Sequence, residues 1–143
     1  MASPKSVLTI AIGRMKDEPE EQEESAIEEM IERVFTTRNL AHFAHWNTKS
    51  YAAHMALGEL YDALVEDVDD IVETYQGEFG LLKNLCTCEA KLDKDILDII
   101  KGDSAWIKDN RSKIANGSKT IENMIDGLTG MYNKIIYKLT NLK

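Results

Sequence analysis

The spacing of apolar side chains along the chain predicts four long helices. Apolar residues recur every three or four positions through residues 27–47, 50–76, 89–116 and 120–139, the spacing typical of helices with one buried face. The 143 residues have the length of one domain. We therefore expect an all-α fold in which four helices form a single bundle.

The polar segments between these patterns predict where the helices end. Residues 48–50 form a short polar break, in which Ser50 is placed to cap the second helix. Gly77 is expected to end that helix. Residues 78–88 then cross over to a third helix that runs parallel to the second, and residues 102–104 break or kink the third helix.

The N-terminal region predicts an arm followed by the bundle. Acids and a proline in residues 17–20 suit the first turn of a helix, so residues 1–16 are assigned to the arm and 17–143 to the bundle. The apolar run 7–12 is shorter than the core of a signal peptide, and no segment approaches the length of a membrane span.

The second helical pattern carries an acidic stripe beside its apolar face. At 100° per residue, with His54 set to 0°, the apolar side chains fall on one arc, the expected buried face. One glycine and four carboxylates lie along its rim, at angles from about 40° to about 120°: Gly58, Asp69, Asp62, Glu73 and Glu66. His54 lies where the rim meets the apolar arc, so a metal bound there would find ligands on a neighbouring helix or subunit.

The residue types along this rim suit a metal. Imidazole and carboxylate together favour Fe, with Mn or Zn as alternatives. The chain has no Glu-x-x-His pair of the kind that builds a di-iron site inside one ferritin bundle, so a metal centre is expected between subunits. The alternative is structural: the acids form an ordinary solvated face, and His42, His45 and His54 are core residues.

A family resemblance rests on these same residues. His45-Trp46-Asn47, a short polar turn, an aromatic residue before His54, and Asp69 and Glu73 fifteen and nineteen residues after it resemble the signature of the Dps mini-ferritins. In that family, a dodecameric shell of four-helix bundles oxidises Fe(II) at subunit interfaces. The resemblance implies that His45 and His54 of one subunit bind the metal with Asp69 and Glu73 of the partner subunit.

Two departures from the Dps pattern affect this site. The turn between the histidines is shorter than usual in Dps, and Gly58 stands where that family places a further Asp ligand. Asp62, on the same rim, is the candidate to replace it.

The sequence is more similar to a group of small Dps-like proteins encoded by tailed phages. The shared phrases are TKSYAAH, ALGELYDAL, VETYQG and a terminal YKLTNLK. This resemblance implies a ferritin-like four-helix bundle but no established activity.

Charge and cysteine usage narrow the choice of partners and compartment. A net charge of −8 opposes binding to nucleic acid, so DNA compaction is the least favoured of three functions. Cys86 and Cys88 are separated by one residue and would point to different sides of a helix, so we expect free thiols. Free thiols are typical of a reducing compartment, which predicts a cytoplasmic protein.

Two functions remain ahead of DNA compaction. The first is a homo-oligomeric mini-ferritin, from dimer to dodecamer, that binds and oxidises Fe(II) at a His/carboxylate site and so acts as a ferroxidase. The second is a non-catalytic ferritin-like structural or interaction protein of phage type, which Gly58 and the short turn favour.

Overall fold

A computed structural model describes residues 24–143. Over that range the protein is all-helical, with five helices and no strand. The helices are α1 (Ala26–Asn47), α2 (Tyr51–Phe79), α3 (Ile96–Asp109), the short α4 (Arg111–Ile114) and α5 (Lys119–Asn141). The predicted arm, residues 1–16, and the predicted helix start at 17–20 lie outside the described residues. None of the described helices is both long and apolar enough to cross a membrane.

The start of α1 is fixed by one buried carboxylate. Glu28 accepts hydrogen bonds from the backbone N–H of Ser25 (3.0 Å) and from its hydroxyl (2.9 Å). Its other oxygen accepts the backbone N–H groups of Lys83 (3.1 Å) and Asn84 (2.9 Å). A single side chain therefore caps α1 and ties the segment after α2 to it.

Because of these four hydrogen bonds, we expect the free energy of unfolding to depend on pH. Burial alone would raise the pKa of Glu28, but the bonds from Ser25, Asn84 and Lys83 lower it from 4.5 to about 2. A carboxylate whose pKa is lowered on folding stabilises the protein above its ordinary pKa, and that stability is lost as the pH falls toward the lowered value. We expect this contribution to disappear between pH 4.5 and about pH 2.

Replacing Glu28→Gln should lower the free energy of unfolding at pH 7 by about 2 kcal/mol, because a charge-assisted cap is lost. The difference from the wild type should shrink as the pH falls from 5 toward 2. Urea unfolding followed by circular dichroism measures both effects. Glu29→Gln is the matched control, since within residues 24–143 Glu29 makes only a half-exposed ion pair with Arg33 (2.8 Å). Equal losses in the two variants would contradict the role given to Glu28.

The structure confirms one predicted helix boundary, at 48–50, and contradicts another, at Gly77. The polar break at 48–50 is confirmed: α1 ends at Asn47, and the Ser50 hydroxyl accepts the N–H of Ala53 (3.2 Å) at the start of α2. Gly77 was wrongly predicted to end α2, which continues to Phe79 and ends at Gly80 with φ of 94°. A helix tolerates an interior glycine at a cost of about 1 kcal/mol, whereas the positive φ at Gly80 favours glycine strongly.

The third helix also differs from its prediction. It begins at Ile96 rather than at residue 89, because Asp95 caps it by accepting the N–H of Leu97 (2.8 Å). The crossover is therefore residues 80–95, longer than predicted. The chain breaks at Asn110 and not at 102–104.

The predicted break at 102–104 is helical, and its aspartate has a partner in the protein interior. Asp103 is 6% exposed and accepts a hydrogen bond from the hydroxyl of the fully buried Tyr132 on α5. Burial raises the pKa of Asp103, although the hydroxyls of Tyr132 and Thr37 act in the opposite direction. This contact ties α3 to α5 through the core.

The long helices enclose one core, with α1 and α5 each packing on both α2 and α3. The Arg33 guanidinium of α1 lies 4.4 Å from the ring centroid of Trp106, and Glu59 of α2 binds Lys134 (3.0 Å) and Lys138 of α5. In each of these contacts, a residue in the first half of one helix meets a residue in the second half of the other. Helix α1 is therefore antiparallel to α3, and α2 is antiparallel to α5. Since α1 and α2 are joined by a short turn, α2 and α3 run in the same direction. The apolar arc predicted for α2 is confirmed as a buried face by Leu57, Leu60, Leu64, Val68 and Ile71.

Candidate functional site

Two histidines meet where α1 ends and α2 begins. Nδ1 of His45 lies 2.7 Å from the backbone oxygen of His54, and Nδ1 of His54 lies 3.0 Å from the backbone oxygen of His45. The imidazole rings stack, with centroids 3.6 Å apart and planes inclined by 22°. The break at 48–50 creates this arrangement, because nine residues of continuous helix would place the two side chains on opposite sides.

The reciprocal hydrogen bonds decide which nitrogen of each ring can bind a metal. A carbonyl oxygen only accepts, so Nδ1 of both His45 and His54 must carry the proton and donate it. In a neutral ring Nε2 then keeps its lone pair. Metal-binding histidines in proteins typically donate their other N–H to a carbonyl or carboxylate, which fixes the ring and its tautomer. The carbonyl partners of Nδ1 are therefore a feature that this His45/His54 pair shares with histidines that bind metals through Nε2.

An open groove of about 930 Å³ borders the histidine pair. His45, His54, Gly58 and Asp62 line one part of it, and the end of α5, including Lys138, lines another. Asp62 lies two turns along α2 from His54, a rise of about 12 Å. It shares the groove with the pair, but that separation is too great for both side chains of one chain to bind the same ion.

Gly58 faces the ring of His45. A Cβ atom built on Gly58 would lie 3.4 Å from Cε1 and 3.5 Å from Nδ1 of that imidazole, which is ordinary van der Waals contact. The position therefore has room for a Cβ atom. A carboxylate there would lie beside the first histidine, where the Dps resemblance places its missing Asp.

The remaining histidine is a packing residue. The ring of His42 stacks on Tyr61 with centroids 3.9 Å apart and planes inclined by 17°, and its centroid lies 4.4 Å from that of Trp46. The structural reading of His42 is the one that these contacts favour. Trp46 and Met55 remain more than half exposed beside the histidine pair, at 64% and 54%.

The two predicted acidic ligands lie on the far half of α2. Asp69 and Glu73 are exposed on the rim, and fifteen residues of helix separate Asp69 from His54 by about 22 Å. Within residues 24–143 of one chain, no third His, Cys, Asp or Glu comes close enough to the histidine pair to form a three-ligand site. Within one subunit the predicted ligands thus form two separate groups, a histidine half-site and a carboxylate half-site of the predicted metal centre.

A further group of metal-ligand residue types lies elsewhere, and the sequence pattern did not reveal it. Ligand atoms of Glu24, Glu32 and Cys86 lie within 4.8 Å of one another. The thiol of Cys86 donates toward Glu32 (3.4 Å) and Glu24 (3.6 Å), and the hydrogen bond to Glu32, burial and the two negative charges raise its pKa to about 11. No spacing rule links these residues, because the crossover brings Cys86 back to α1 from more than fifty positions away.

Over the described residues the protein is thus all-helical, with a histidine pair at the start of α2 and a carboxylate pair toward its end. Residues 45–139 match a family of unknown function (DUF5856), and the chain belongs to that family. The match includes His45, His54, Asp62, Asp69 and Glu73.

The chain is also similar to an uncharacterized 14.6 kDa protein of the mobD-ri intergenic region of Enterobacteria phage T4. The two are 27% identical over 117 residues, which cover 81% of this chain and 89% of the phage protein. No solved structure matches the chain significantly. The matching family has no known function and the phage protein is uncharacterized. The resemblance to Dps therefore remains a prediction.

Proposed function

We propose that this protein is a Dps-like mini-ferritin that binds and oxidises Fe(II) between subunits. The observation that carries the proposal is the His45/His54 pair, whose reciprocal Nδ1 hydrogen bonds leave both Nε2 atoms free as ligands. The order of the helices adds support. A long crossover between two helices that run in the same direction is the topology of ferritin-like bundles, and residues 80–95 provide that connection here.

The second half of the site comes from another copy of the chain. The 22 Å rise between the half-sites is too long for one subunit, but two α2 helices packed antiparallel would bring His54 of each copy to Asp69 and Glu73 of the other. Two equivalent sites would form, one at each end of the pair. Two neutral imidazoles and two carboxylates form a ligand set suited to Fe(II), with Mn and Zn as competing ions.

The oxidation needs little from the protein beyond this ligand set. Each Fe(II) gives up one electron to an oxidant, peroxide or dioxygen, and the added positive charge of the ferric product strengthens its attraction to the carboxylates of Asp69 and Glu73. The backbone oxygens that accept from Nδ1 would keep the rings of His45 and His54 in place, with Nε2 of each ring as the ligand atom. The proposed physiological role is iron sequestration and protection from peroxide.

The direct test follows the absorbance of Fe(III) after adding Fe(II) with peroxide, and then with oxygen. The wild type should oxidise iron faster than buffer, and His54→Ala and Glu73→Ala should each reduce the rate to that of buffer. Asp70→Ala is the matched control, since Asp70 is an exposed acid on the same helix but off the rim. Retained oxidation in the Glu73→Ala variant would contradict the site.

A non-catalytic ferritin-like structural or interaction protein is the second candidate. Gly58 favours it, because the rim lacks a carboxylate at the position beside His45. The exposed Trp46 and Tyr51, at 64% and 76%, are side chains suited to an interface with another protein. A wild-type protein that oxidises iron no faster than buffer, and whose melting temperature is unchanged by added metal, would favour this function.

A further inference from the structure

A thiol and two carboxylates converge beside the start of α1. Glu24 precedes the helix, Glu32 lies in its second turn, and Cys86 belongs to the crossover that follows α2. One ligand atom of each residue lies within 4.8 Å of the other two. Three separate parts of the chain therefore present one sulfur and two oxygens to a common point.

The backbone holds this group together independently of the three side chains. The N–H groups of Lys83 and Asn84 donate to the buried Glu28 carboxylate (3.1 and 2.9 Å), which fixes the crossover against α1 two residues before Cys86. Glu32 lies one turn after Glu28, on the same side of the helix. The sulfur and the Glu32 carboxylate are thus brought into contact by the fold itself.

The distances within the group match the edges of a tetrahedral zinc site. Zinc binds thiolate sulfur at about 2.3 Å and carboxylate oxygen at about 2.0–2.2 Å, so the two ligand atoms are about 3.5 Å apart. Sγ of Cys86 lies 3.4 Å from an oxygen of Glu32 and 3.6 Å from one of Glu24. A zinc ion would replace the thiol proton with little movement of the three side chains.

The charge of the group also suits a cation. Over residues 24–143 neither Glu24 nor Glu32 forms an ion pair, and Arg33 binds Glu29 instead. The hydrogen bond to Glu32, then burial and the two negative charges, raise the pKa of the Cys86 thiol to about 11. One thiol proton cannot satisfy two carboxylates. A dication can bind both and also stabilises the deprotonated thiolate.

We propose that Glu24, Glu32 and Cys86 form a Zn(II) site that joins the crossover to the start of α1. Zinc accepts both thiolate and carboxylate ligands, and three protein ligands leave a fourth position to solvent. On binding, the thiol proton passes to solvent and a sulfur lone pair forms the bond to zinc, with no change of oxidation state. The site is separate from the proposed iron site, because thirteen residues of α1, roughly 20 Å, lie between Glu32 and His45.

Cobalt(II) provides the test, because it occupies zinc sites and gives a near-ultraviolet charge-transfer band when a thiolate binds it. Titration of the reduced, metal-free full chain should give this band with one Co(II) per chain, and added Zn(II) should remove the band by displacement. Cys86→Ser should abolish the band. Glu24→Gln and Glu32→Gln should each raise the dissociation constant for Co(II), measured from the band, by about tenfold.

Two matched variants control for the thiol and for the charge. The Cys88 thiol donates toward the backbone oxygen of Glu89 (3.6 Å) and is not part of the group, so Cys88→Ser should keep the band. Glu29→Gln removes an acid from the same turn of α1 and should change the dissociation constant by less than about threefold. Circular dichroism of each metal-free variant checks that the helices are intact.

Three results would overturn the site. These are a wild type without the band, a band that survives Cys86→Ser, and carboxylate variants that bind Co(II) as tightly as the wild type. His54→Ala separates this proposal from the ferroxidase, since it should abolish iron oxidation and leave the thiolate band unchanged. A band that needs His54 would contradict a zinc site formed by Glu24, Glu32 and Cys86.

Discussion

Mixing two inactive variants is expected to restore about a quarter of the iron oxidation rate. His54→Ala lacks the histidine half-site and Glu73→Ala lacks the carboxylate half-site, so each variant alone has no complete centre. In a mixed dimer, the intact histidines of one chain meet the intact carboxylates of the other at one of the two sites. Random pairing makes half the dimers mixed, which leaves roughly a quarter of all sites complete.

The experiment requires the two chains to be unfolded together and refolded, so that the subunits exchange. Each variant refolded alone is the matched control and should stay at the rate of buffer. A mixture of His54→Ala with His45→Ala should also stay inactive, because both changes remove the same half-site. Recovery in that second mixture, or none in the first, would mean that histidines and carboxylates do not meet across an interface.

Gly58→Asp is expected to raise the affinity for Fe(II) by about tenfold, equivalent to about 1.4 kcal/mol of binding free energy. The new Cβ would have ordinary contacts with the ring of His45 (3.4 Å), so the Cβ requires no movement of the helix. Its carboxylate would lie beside the histidine pair, where it adds a negatively charged oxygen ligand. Anaerobic titration calorimetry with Fe(II) measures the change.

Gly58→Asn separates the ligand's charge from its shape. Asparagine has nearly the same size as aspartate but no charge, and we expect less than a threefold gain from it. Both substitutions remove a glycine from a helix interior, which stabilises α2 by a fraction of the roughly 1 kcal/mol that separates glycine from alanine. Equal gains in both variants would show a general effect on the helix. No gain in either would mean that the histidine pair is not where iron binds.

Local sequence signals predicted part of the fold correctly. The break at 48–50 was predicted because Ser50 can satisfy the free N–H groups at the start of a helix, an interaction that spans only three residues. The end of α2 was placed at the wrong glycine, because Gly77 and Gly80 have equal conformational freedom. Only the backbone, with φ of 94° at Gly80, distinguishes the terminating glycine from the tolerated one.

The break predicted within the third helix was wrong for a long-range reason. Residues 102–104 look like a break because glycine, aspartate and serine are poor helix formers. Asp103 remains inside α3 because Tyr132 donates a hydrogen bond to it. That donor lies twenty-nine positions later in the chain, so a local pattern contains no sign of it. The same limit hid the approach of Cys86 to Glu32, which are fifty-four positions apart.

The sequence by itself determined the helical class, the buried face of α2 and the rim that carries Asp62, Asp69 and Glu73, because each follows from the period of a single helix. The tertiary structure decided how the ends of α1 and α2 meet. It paired His45 with His54, fixed the proton of each ring on Nδ1 and placed Gly58 against an imidazole. Ring orientation and tautomer depend on backbone oxygens across a turn, and periodicity alone does not specify such contacts.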